Sequence, residues 1–339
     1  MKYMRHSFQI IVLVFAFSLI LLPVSAQSGK SGKEIVVYVT SWTDEMPDVE
    51  HITCINYAFA QINETADGLV IDNEARLRQI LELKKTKPGL KVLLSVGGWG
   101  GGRFSELAAS TRNRRLFAWD CRRVVWEYGV DGIDIDWEYP TQSTSGISSS
   151  PDDTNNLTKL LQDIRTVIGP KRMLTVATVS SGLYVNLKET VKYADWINLM
   201  TYDMGQPPYH NAPLHQSDMV KNIAVDEAVQ KVLDAGVPRD KIVMGIPFYG
   251  RGIDGFPEDV KNTDAHLVSN YFFNWDDDAM VPYMADRSGK MKYTYDDARS
   301  IGLKAAFARD EKLRGAMCWP NSGDDEKSTL LRAVCDSIR

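Results

Sequence analysis

Asp131-Gly-Ile-Asp-Ile-Asp-Trp-Glu-Tyr-Pro140 is the segment on which the prediction of the fold rests. Its apolar and acidic residues alternate, and successive side chains of an extended strand point to opposite faces. The pattern therefore predicts a strand with three carboxylates on one face, those of Asp134, Asp136 and Glu138. Like charges this close disfavour ionisation, a cost that stability alone does not explain. We expect the acids to face an enclosed polar space; an exposed edge strand is the alternative.

Strands and helices alternate on both sides of this segment. The predicted strands are 34–40, 51–60, 91–96, 129–137, 172–179, 195–201, 241–247 and 315–319. The predicted helices are 74–87, 113–128, 152–168, 226–235, 295–313 and 328–338. Apolar strands separated mostly by helices predict an α/β fold, the (β/α)8 TIM barrel. The alternative is an open doubly wound sheet, which would carry a glycine-rich turn after residues 34–40, and none is present there.

The composition is that of a globular protein. The 339 residues are 44% hydrophobic and 24% charged, with a formal net charge of -5, and no basic run suggests nucleic acid. The four cysteines could pair in an exported protein, but they are sparse and most lie near apolar runs, so we expect buried free thiols. No Cys/His spacing indicates a metal, and we expect no cofactor. The chain is expected to be a monomer.

Residues 1–26 have the pattern of a secretory signal peptide. Two basic residues precede the apolar run Phe8–Leu22, and small residues up to Ala26 offer a cleavage site. An uncleaved membrane anchor is the alternative, because the run is long for a signal peptide. Residues 27–33 are predicted to be a flexible lead-in to a domain of residues 34–339. We expect export to the medium, the periplasm or the cell surface, with no membrane contact after cleavage.

The carboxyl ends of the predicted strands carry acids, aromatic rings and one arginine. Active sites of TIM barrels lie at that face. The candidate residues there are Tyr38, Ser95, Trp99, Asp136, Glu138, Tyr139, Met200, Tyr202, Asp203, Tyr249, Arg251 and Trp319. They include no cysteine nucleophile, no Ser–His pair and no glycine-rich phosphate cradle. Because aromatic faces stack on sugar rings and carboxylates bind hydroxyls, this set favours a carbohydrate enzyme.

Three motifs carry a family resemblance. Residues 131–138 fit the pattern DxxDxDxE, Ser95-Val-Gly-Gly98 fits SxGG, and Met200-Thr-Tyr-Asp203 fits MxYD. Together they resemble glycoside hydrolase family 18, the chitinase family. Further segments similar to chitinases are Asn211-Ala-Pro-Leu214, Tyr249-Gly-Arg251 and Tyr295-Asp-Asp297. The match runs in order from Glu34 to the C-terminus.

The resemblance implies an enzyme without a protein nucleophile. Glu138 would be the general acid, with a pKa raised by neighbouring Asp136. The 2-acetamido oxygen of the substrate would attack the anomeric carbon and form an oxazolinium ion. Asp136 would orient the acetamido N–H, Tyr202 would hold the acetamido oxygen, and Glu138 would then activate water with net retention.

The remaining roles are also implied by the resemblance. Asp134 would be a proton partner of Asp136, helped by Tyr38 and Ser95. Trp319 would form the floor beneath the sugar at the cleavage point. Contacts to other sugars would come from Trp99, Tyr139, Met200, Asp203, Tyr249 and Arg251. From its place at the start of the strand, Asp131 is expected to hold backbone rather than substrate.

Three functions remain open. The first is a chitinase that cleaves β-1,4-linked N-acetylglucosamine in a polysaccharide or oligosaccharide. The second is an endo-β-N-acetylglucosaminidase acting on N-glycans, although such enzymes often lack the residues that match Tyr202 and Trp319. The third is an inactive sugar-binding lectin, against which the intact Glu138 argues.

Residues 252–290 are too short for the usual α+β insertion of the family, so an open groove and non-processive or endo cleavage are expected. No separate chitin-binding module is visible, so weak binding to crystalline chitin is expected.

Overall fold

The acidic segment forms one strand of a barrel of parallel strands. The structure is a computed structural model that describes residues 32–253, 255–257 and 260–339; the predicted signal peptide and nearly all of the lead-in lie outside the described residues. The strands are β1 (Glu34–Thr40), β2 (Cys54–Ile62), β3 (Leu69–Ile71), β4 (Lys91–Gly97), β5 (Gly132–Asp136), β6 (Met173–Val179), β7 (Trp196–Met200), β8 (Ile242–Pro247), β9 (Arg251–Gly252), β10 (Phe272–Asp276), β11 (Val281–Ala285), β12 (Met291–Thr294) and β13 (Gly315–Trp319).

The barrel closes through the pairing of its first and last strands. Neighbouring strands follow the order β13, β8, β7, β6, β5, β4, β2, and β1 pairs in parallel with both β2 and β13. Within the described residues this gives a ring of eight parallel strands, so the predicted TIM barrel is confirmed. In the register of β5 with its neighbour β4, Asp134 lies beside Ser95 and Asp136 beside Gly97.

Helices cover the outside of the barrel. They are α1 (Glu74–Thr86), α2 (Phe104–Ala109), α3 (Thr111–Tyr128), α4 (Asp153–Ile168), α5 (Leu187–Thr190), α6 (Val225–Asp234), α7 (Ala298–Asp310) and α8 (Thr329–Ile338). Local sequence sets several of their ends. The Ser110 side chain accepts a hydrogen bond from the Asn113 N–H at the start of α3, and Gly129 ends α3 with a φ of 77°. The predicted helices agree with the observed ones to within a few residues, whereas β3, α2 and α5 were not predicted.

A small antiparallel sheet lies between β8 and α7 in the sequence. Its strand order is β10, β11, β12, β9. The ring of Tyr293 stacks on Phe256 with centroids 4.2 Å apart, and Met284 is buried beside them. The segment is shorter than a large α+β insertion, as expected, but the sequence analysis did not predict that it folds as a sheet.

Residues that flank the two ends of β5 fix this strand in the barrel. At its start, Asp131 Oδ2 accepts hydrogen bonds from the Val92 N–H (2.9 Å) and Lys84 Nζ (2.7 Å), the backbone-holding role expected from the sequence. Beyond its end, Trp137 stacks on Phe104 of α2 with centroids 5.2 Å apart. The four cysteines are all buried free thiols, as predicted. No helix in the described part of the chain is long and apolar enough to cross a membrane.

Candidate active site

Asp134 is the centre of a buried hydrogen-bond network inside the barrel. Its Oδ2 accepts from Tyr38 (3.0 Å) and Ser95 (2.7 Å), and its Oδ1 accepts from Thr175 (2.5 Å) and Asn198 (3.0 Å). Burial raises the pKa of Asp134, and these hydrogen bonds oppose the shift. Since each oxygen receives two donors, this carboxyl group is arranged to accept hydrogen bonds and holds its neighbours in place.

Asp136 lies two residues further along the same face and is 4% exposed. Its Oδ1 atom is buried without a hydrogen-bond partner in the described part of the chain. Burial raises the pKa of Asp136 well above its ordinary value, and the negative charges of Glu138 and Asp134 raise it further. A buried acceptor without a donor is costly, and such atoms often mark a place that a ligand completes. No hydrogen bond joins Asp134 and Asp136 in the described part of the chain, where the four donors already contact Asp134. That the two residues are proton partners stays a prediction.

Glu138 follows the end of β5 and is partly buried. Burial raises its pKa to about 7, the negative charge of Asp203 adds to the shift, and Tyr139 opposes it. Burial is the largest cause of this shift, and Asp203 adds to it. Because the repulsion between Asp136 and Glu138 is mutual, the contribution of Asp136 expected from the sequence stays a prediction. A carboxyl group that titrates near neutral pH can both donate and accept a proton.

Tyr202 lies just past the end of β7 and is buried. Its hydroxyl is 3.8 Å from Met317 Sδ, and its ring meets that of Tyr249 edge-on with centroids 6.0 Å apart. A Cβ atom on Gly245 would lie 2.8 Å from the Tyr202 ring, so the neighbouring strand must carry glycine at that position. Burial raises the pKa of Tyr202, which keeps its hydroxyl protonated as a donor. Met200, at the end of β7, is also buried.

Asp203 follows β7 and is hydrogen-bonded to residues that follow β8, so it links the ends of these two strands at the mouth of the barrel. Its Oδ1 accepts from the Tyr249 hydroxyl (2.7 Å) and from Arg251 Nε (3.1 Å). The guanidinium of Arg251 lies over the Tyr249 ring, 4.9 Å from its centroid. The Asp203 backbone N–H donates to Asn211 Oδ1 at 3.0 Å, which fixes a residue whose φ is 57°. The three residues predicted from the sequence thus form one cluster.

One aromatic group lies on the neighbouring strands β13, β1 and β2 and just after β1. Trp319 lies 5.8 Å from both Tyr38 and Phe59 and 6.4 Å from Trp42, measured between ring centroids. Trp42 is 64% exposed, so this group presents a ring to solvent. The sequence analysis missed Trp42 and Phe59, although Trp42 comes two residues after β1, at the face where ligands bind.

A second aromatic group follows β4, β5 and β6. The Tyr139 ring lies 6.4 Å from Trp99 and 5.8 Å from Tyr184. Trp99 is 65% exposed. The two aromatic groups and the Asp203 cluster therefore surround the barrel mouth, because together they follow all of its strands. Exposed rings beside buried acids suit a ligand with apolar faces and polar edges.

Residues 34–324 match the family model described as Glycosyl hydrolases family 18. The chain belongs to this family. Chitinase A1 of Niallia circulans is 32% identical over 94% of this chain, which spans 60% of that relative's length. Mouse chitotriosidase-1 is 30% identical, with 88% of this chain and 75% of its own length covered.

Solved structures of family 18 proteins resemble the whole barrel. The N-acetylglucosaminidase of Paenibacillus barengoltzii has a TM-score of 0.82 and 31% identity, and the match covers 90% of this chain and all of that one (100%). A group IV chitinase of Ostrinia furnacalis in complex with allosamidin has a TM-score of 0.79 and 28% identity, with 89% of this chain and 97% of that chain covered. The barrel therefore has the fold of solved family members.

Two donors to Asp134 were missed by the sequence analysis. Thr175 on β6 and Asn198 on β7 are both completely buried. A polar residue within a mainly apolar strand was the available signal, and it gains meaning only once β5, β6 and β7 are known to lie in succession in the barrel. Among the described residues, no group of histidine, cysteine or acidic side chains could hold a metal ion.

Proposed function

We propose that this protein is a secreted glycoside hydrolase that cleaves β-1,4-linked N-acetylglucosamine in chitin or its oligosaccharides. Family membership and the chitinases among its relatives support the reaction class. The observation that carries the proposal is the unpartnered Oδ1 of Asp136, a buried acceptor next to an acid that titrates near pH 7. The acetamido N–H of the substrate would supply the missing donor.

In the first step, Glu138 donates its proton to the glycosidic oxygen. The bond between that oxygen and the anomeric carbon breaks, and its electron pair stays on the leaving oxygen. The acetamido carbonyl oxygen of the same sugar attacks the anomeric carbon and forms an oxazolinium ion. Asp136 accepts the acetamido N–H and balances the positive charge, and the Tyr202 hydroxyl donates to the acetamido group. This route uses the substrate as nucleophile, as known for the family.

In the second step, Glu138 acts as a base. It takes a proton from water, which attacks the anomeric carbon and opens the oxazolinium ring. Two inversions give net retention, and Glu138 regains its proton. Asp134 stays hydrogen-bonded to its four donors and acts through its charge, which raises the pKa of Asp136.

The binding of neighbouring sugars is assigned to the barrel mouth. Trp319 is partly buried and its ring meets that of Tyr38 edge-on, with centroids 5.8 Å apart, which suits a floor for the sugar at the cleavage point. Trp99 and Tyr139 would contact sugars on one part of the rim, and Asp203, Tyr249 and Arg251 on another. Exposed aromatic rings at an open mouth support cleavage within chains rather than only from one end.

A second candidate is the hydrolysis of N-glycans by an endo-β-N-acetylglucosaminidase. One structural neighbour is named an N-acetylglucosaminidase, which is compatible with this substrate class. The presence of both Tyr202 and Trp319 favours the chitinase. An inactive lectin is disfavoured by the intact Glu138.

The test is an assay of the mature protein on chitooligosaccharides and on a high-mannose glycopeptide, beside the variant Glu138→Gln. We expect hydrolysis of the oligosaccharides, retention of the anomeric configuration in the first product seen by NMR, and loss of turnover in the variant. Cleavage of the glycopeptide alone would support the second candidate. Binding without turnover by the wild type would support the lectin, and full turnover by the variant would exclude Glu138 as the acid.

We also propose that the protein is exported. Residues 1–26 would direct the chain out of the cytoplasm, with cleavage after Ala26, and the mature protein would act as a monomer without membrane or nucleic-acid contact. N-terminal sequencing of the exported protein tests the cleavage site. A start at Gln27 is expected; retention of residues 1–26 in a membrane fraction would favour the anchor.

A further inference from the structure

Helix α3 presents two exposed tryptophans on its outer side. Trp119 is 59% exposed and Trp126 is 66% exposed. The opposite side of the helix is buried in the barrel wall through Phe117, Cys121 and Val124. The helix is thus anchored without its tryptophans, and packing of the core does not explain them. Large apolar side chains that are exposed to solvent as a group often mark a binding surface.

The two rings are held at a defined spacing. They are seven positions apart, which is nearly two helical turns, so they lie on the same side of α3 about 10.5 Å apart along its axis. Arg122 lies between them, with its guanidinium carbon 5.5 Å from the Trp119 ring and 6.0 Å from the Trp126 ring. The guanidinium carbon of Arg172 lies 5.5 Å from the Trp126 ring. The surface therefore alternates aromatic and cationic groups.

Both guanidinium groups donate hydrogen bonds to main-chain carbonyls. Arg122 Nη1 donates to the Val167 carbonyl at 3.0 Å, and Arg172 Nη1 reaches the Val130 carbonyl at 3.5 Å. These bonds restrict the two side chains before any ligand arrives, which lowers the entropy lost on binding. The donors that remain on each guanidinium are available to a ligand.

We propose that Trp119, Arg122, Trp126 and Arg172 form a surface site for the polysaccharide substrate, named here the α3 platform. The inference rests on the proposed function. A β-1,4-linked N-acetylglucosamine chain repeats apolar ring faces along its length, with hydroxyl and acetamido oxygens at the edges. Two indole rings spaced by about two turns of helix match ring faces about two sugars apart. The guanidinium groups between and beside them match the oxygens.

Other occupants fit this surface less well. A membrane-bound helix buries a continuous apolar face, whereas a charged row runs beside the tryptophans. In that row Arg123 contacts Asp120 and Glu127, each at 2.6 Å. Tryptophan and arginine are also common at protein interfaces, but there the anchor residues cluster near the centre, whereas these two rings lie about 10.5 Å apart along the helix. A polysaccharide chain, with its alternating apolar and polar groups, is the occupant that the arrangement favours.

The α3 platform lies away from the catalytic mouth. Helix α3 runs from the carboxyl end of β4 back to the amino end of β5, and Trp126 is near its last turn. Arg172 immediately precedes the amino end of β6. The platform therefore occupies the outer wall toward the face opposite the active site. It would hold the enzyme on particulate chitin while leaving the groove free, which modifies the expectation of weak binding to crystalline chitin.

The test measures binding to particulate chitin and turnover of a soluble chitooligosaccharide separately. Binding is measured in the Glu138→Gln background, so that the chitin is not consumed, with and without the double substitution Trp119→Ala/Trp126→Ala. We expect about tenfold or greater weakening of chitin binding by the double substitution, and unchanged kcat and KM on soluble trimer when Glu138 is intact. Leu303→Ala, at an exposed leucine of α7, is the matched control, and Trp126→Tyr should keep most of the binding.

The outcomes separate this inference from the proposed function. Wild-type turnover with unchanged chitin binding in the double variant would overturn the platform and leave the function standing. No turnover by the wild type, with binding lost in the double variant, would overturn the function and leave the platform. Failure of the intact protein to bind chitin would overturn the platform. Binding to phosphatidylglycerol vesicles that depends on the tryptophans, without an effect on chitin, would do the same. Circular dichroism of each variant checks that α3 remains folded.

Discussion

Asp134 and Asp136 lie on one face of β5, yet their carboxyl groups have opposite surroundings. Asp134 accepts four hydrogen bonds, whereas Asp136 has a buried oxygen with no partner in the described part of the chain. The first arrangement supports the folded state, and the second leaves a group for a ligand. Buried polar atoms without partners destabilise a protein and are often retained for function.

The isosteric changes Asp134→Asn and Asp136→Asn should therefore have opposite effects on stability. The amide introduced by Asp134→Asn would turn an NH2 group toward two donors, and we expect a loss of about 1–3 kcal/mol in the free energy of unfolding. Asp136→Asn removes a buried carboxylate, and we expect a gain of about 1 kcal/mol at pH 7. Urea denaturation measures both, and equal effects of the two changes would contradict the assignment.

The gain from Asp136→Asn should depend on pH. The folded-state pKa of Asp136 is raised, so the folded wild type binds a proton more tightly than the unfolded chain. Its stability is therefore complete below the unfolded pKa, about 4, and falls as the pH rises through the folded pKa. The Asp136→Asn variant does not lose stability in this way, because it has no titrating group at this position. We expect its advantage over wild type to vanish near pH 4 and to grow toward neutral pH, as measured by denaturation at several pH values.

Glu138 should set the basic limb of the pH profile. Its pKa of about 7 means that it loses its proton as the pH rises past neutrality, and the first step needs that proton. We expect kcat/KM to fall above about pH 7, and Glu138→Gln to lower kcat by about 10²- to 10⁴-fold. Steady-state assays on a soluble chitooligosaccharide measure both. A profile flat to pH 9 would show that another group donates the proton.

Substitutions of Asp203 and of Arg251 should shift the basic limb of the pH profile in opposite directions. The negative charge of Asp203 raises the pKa of Glu138, and Arg251 neutralises part of it. Asp203→Asn should therefore shift the basic limb to lower pH, and Arg251→Gln should shift it to higher pH. Each variant is the control for the other, because both break the same ion pair. Shifts of the same sign would point to a change of shape rather than of charge.

Much of the barrel could be predicted from sequence because its strands are apolar runs separated mostly by helical segments. The acids of β5 could be predicted because the alternation of side chains places them on one face. Asn198 could not, because its partner Asp134 lies 64 residues away on β5, with β6 between the two strands. The small sheet was missed in part because Pro282 interrupts its strand β11, and a proline argues against an inner strand. Contacts between distant segments therefore account for what the sequence did not reveal.

Lys304 and Asp296 form a buried ion pair where the chain leaves the small sheet for α7. Both side chains are almost completely buried, and Ser300 also donates to Asp296 at 2.6 Å. Burial raises the pKa of Asp296 and lowers that of Lys304, and their mutual attraction opposes both shifts. Lys304→Met removes one charge and leaves the other buried, which should cost about 3–5 kcal/mol. The double change Asp296→Asn/Lys304→Met leaves no buried charge and should be clearly less destabilised. With the single variant Asp296→Asn added, chemical denaturation of the wild type and the three variants gives the coupling energy. A double variant as unstable as Lys304→Met would show that packing of the lysine stem, rather than the ion pair, holds α7 in place.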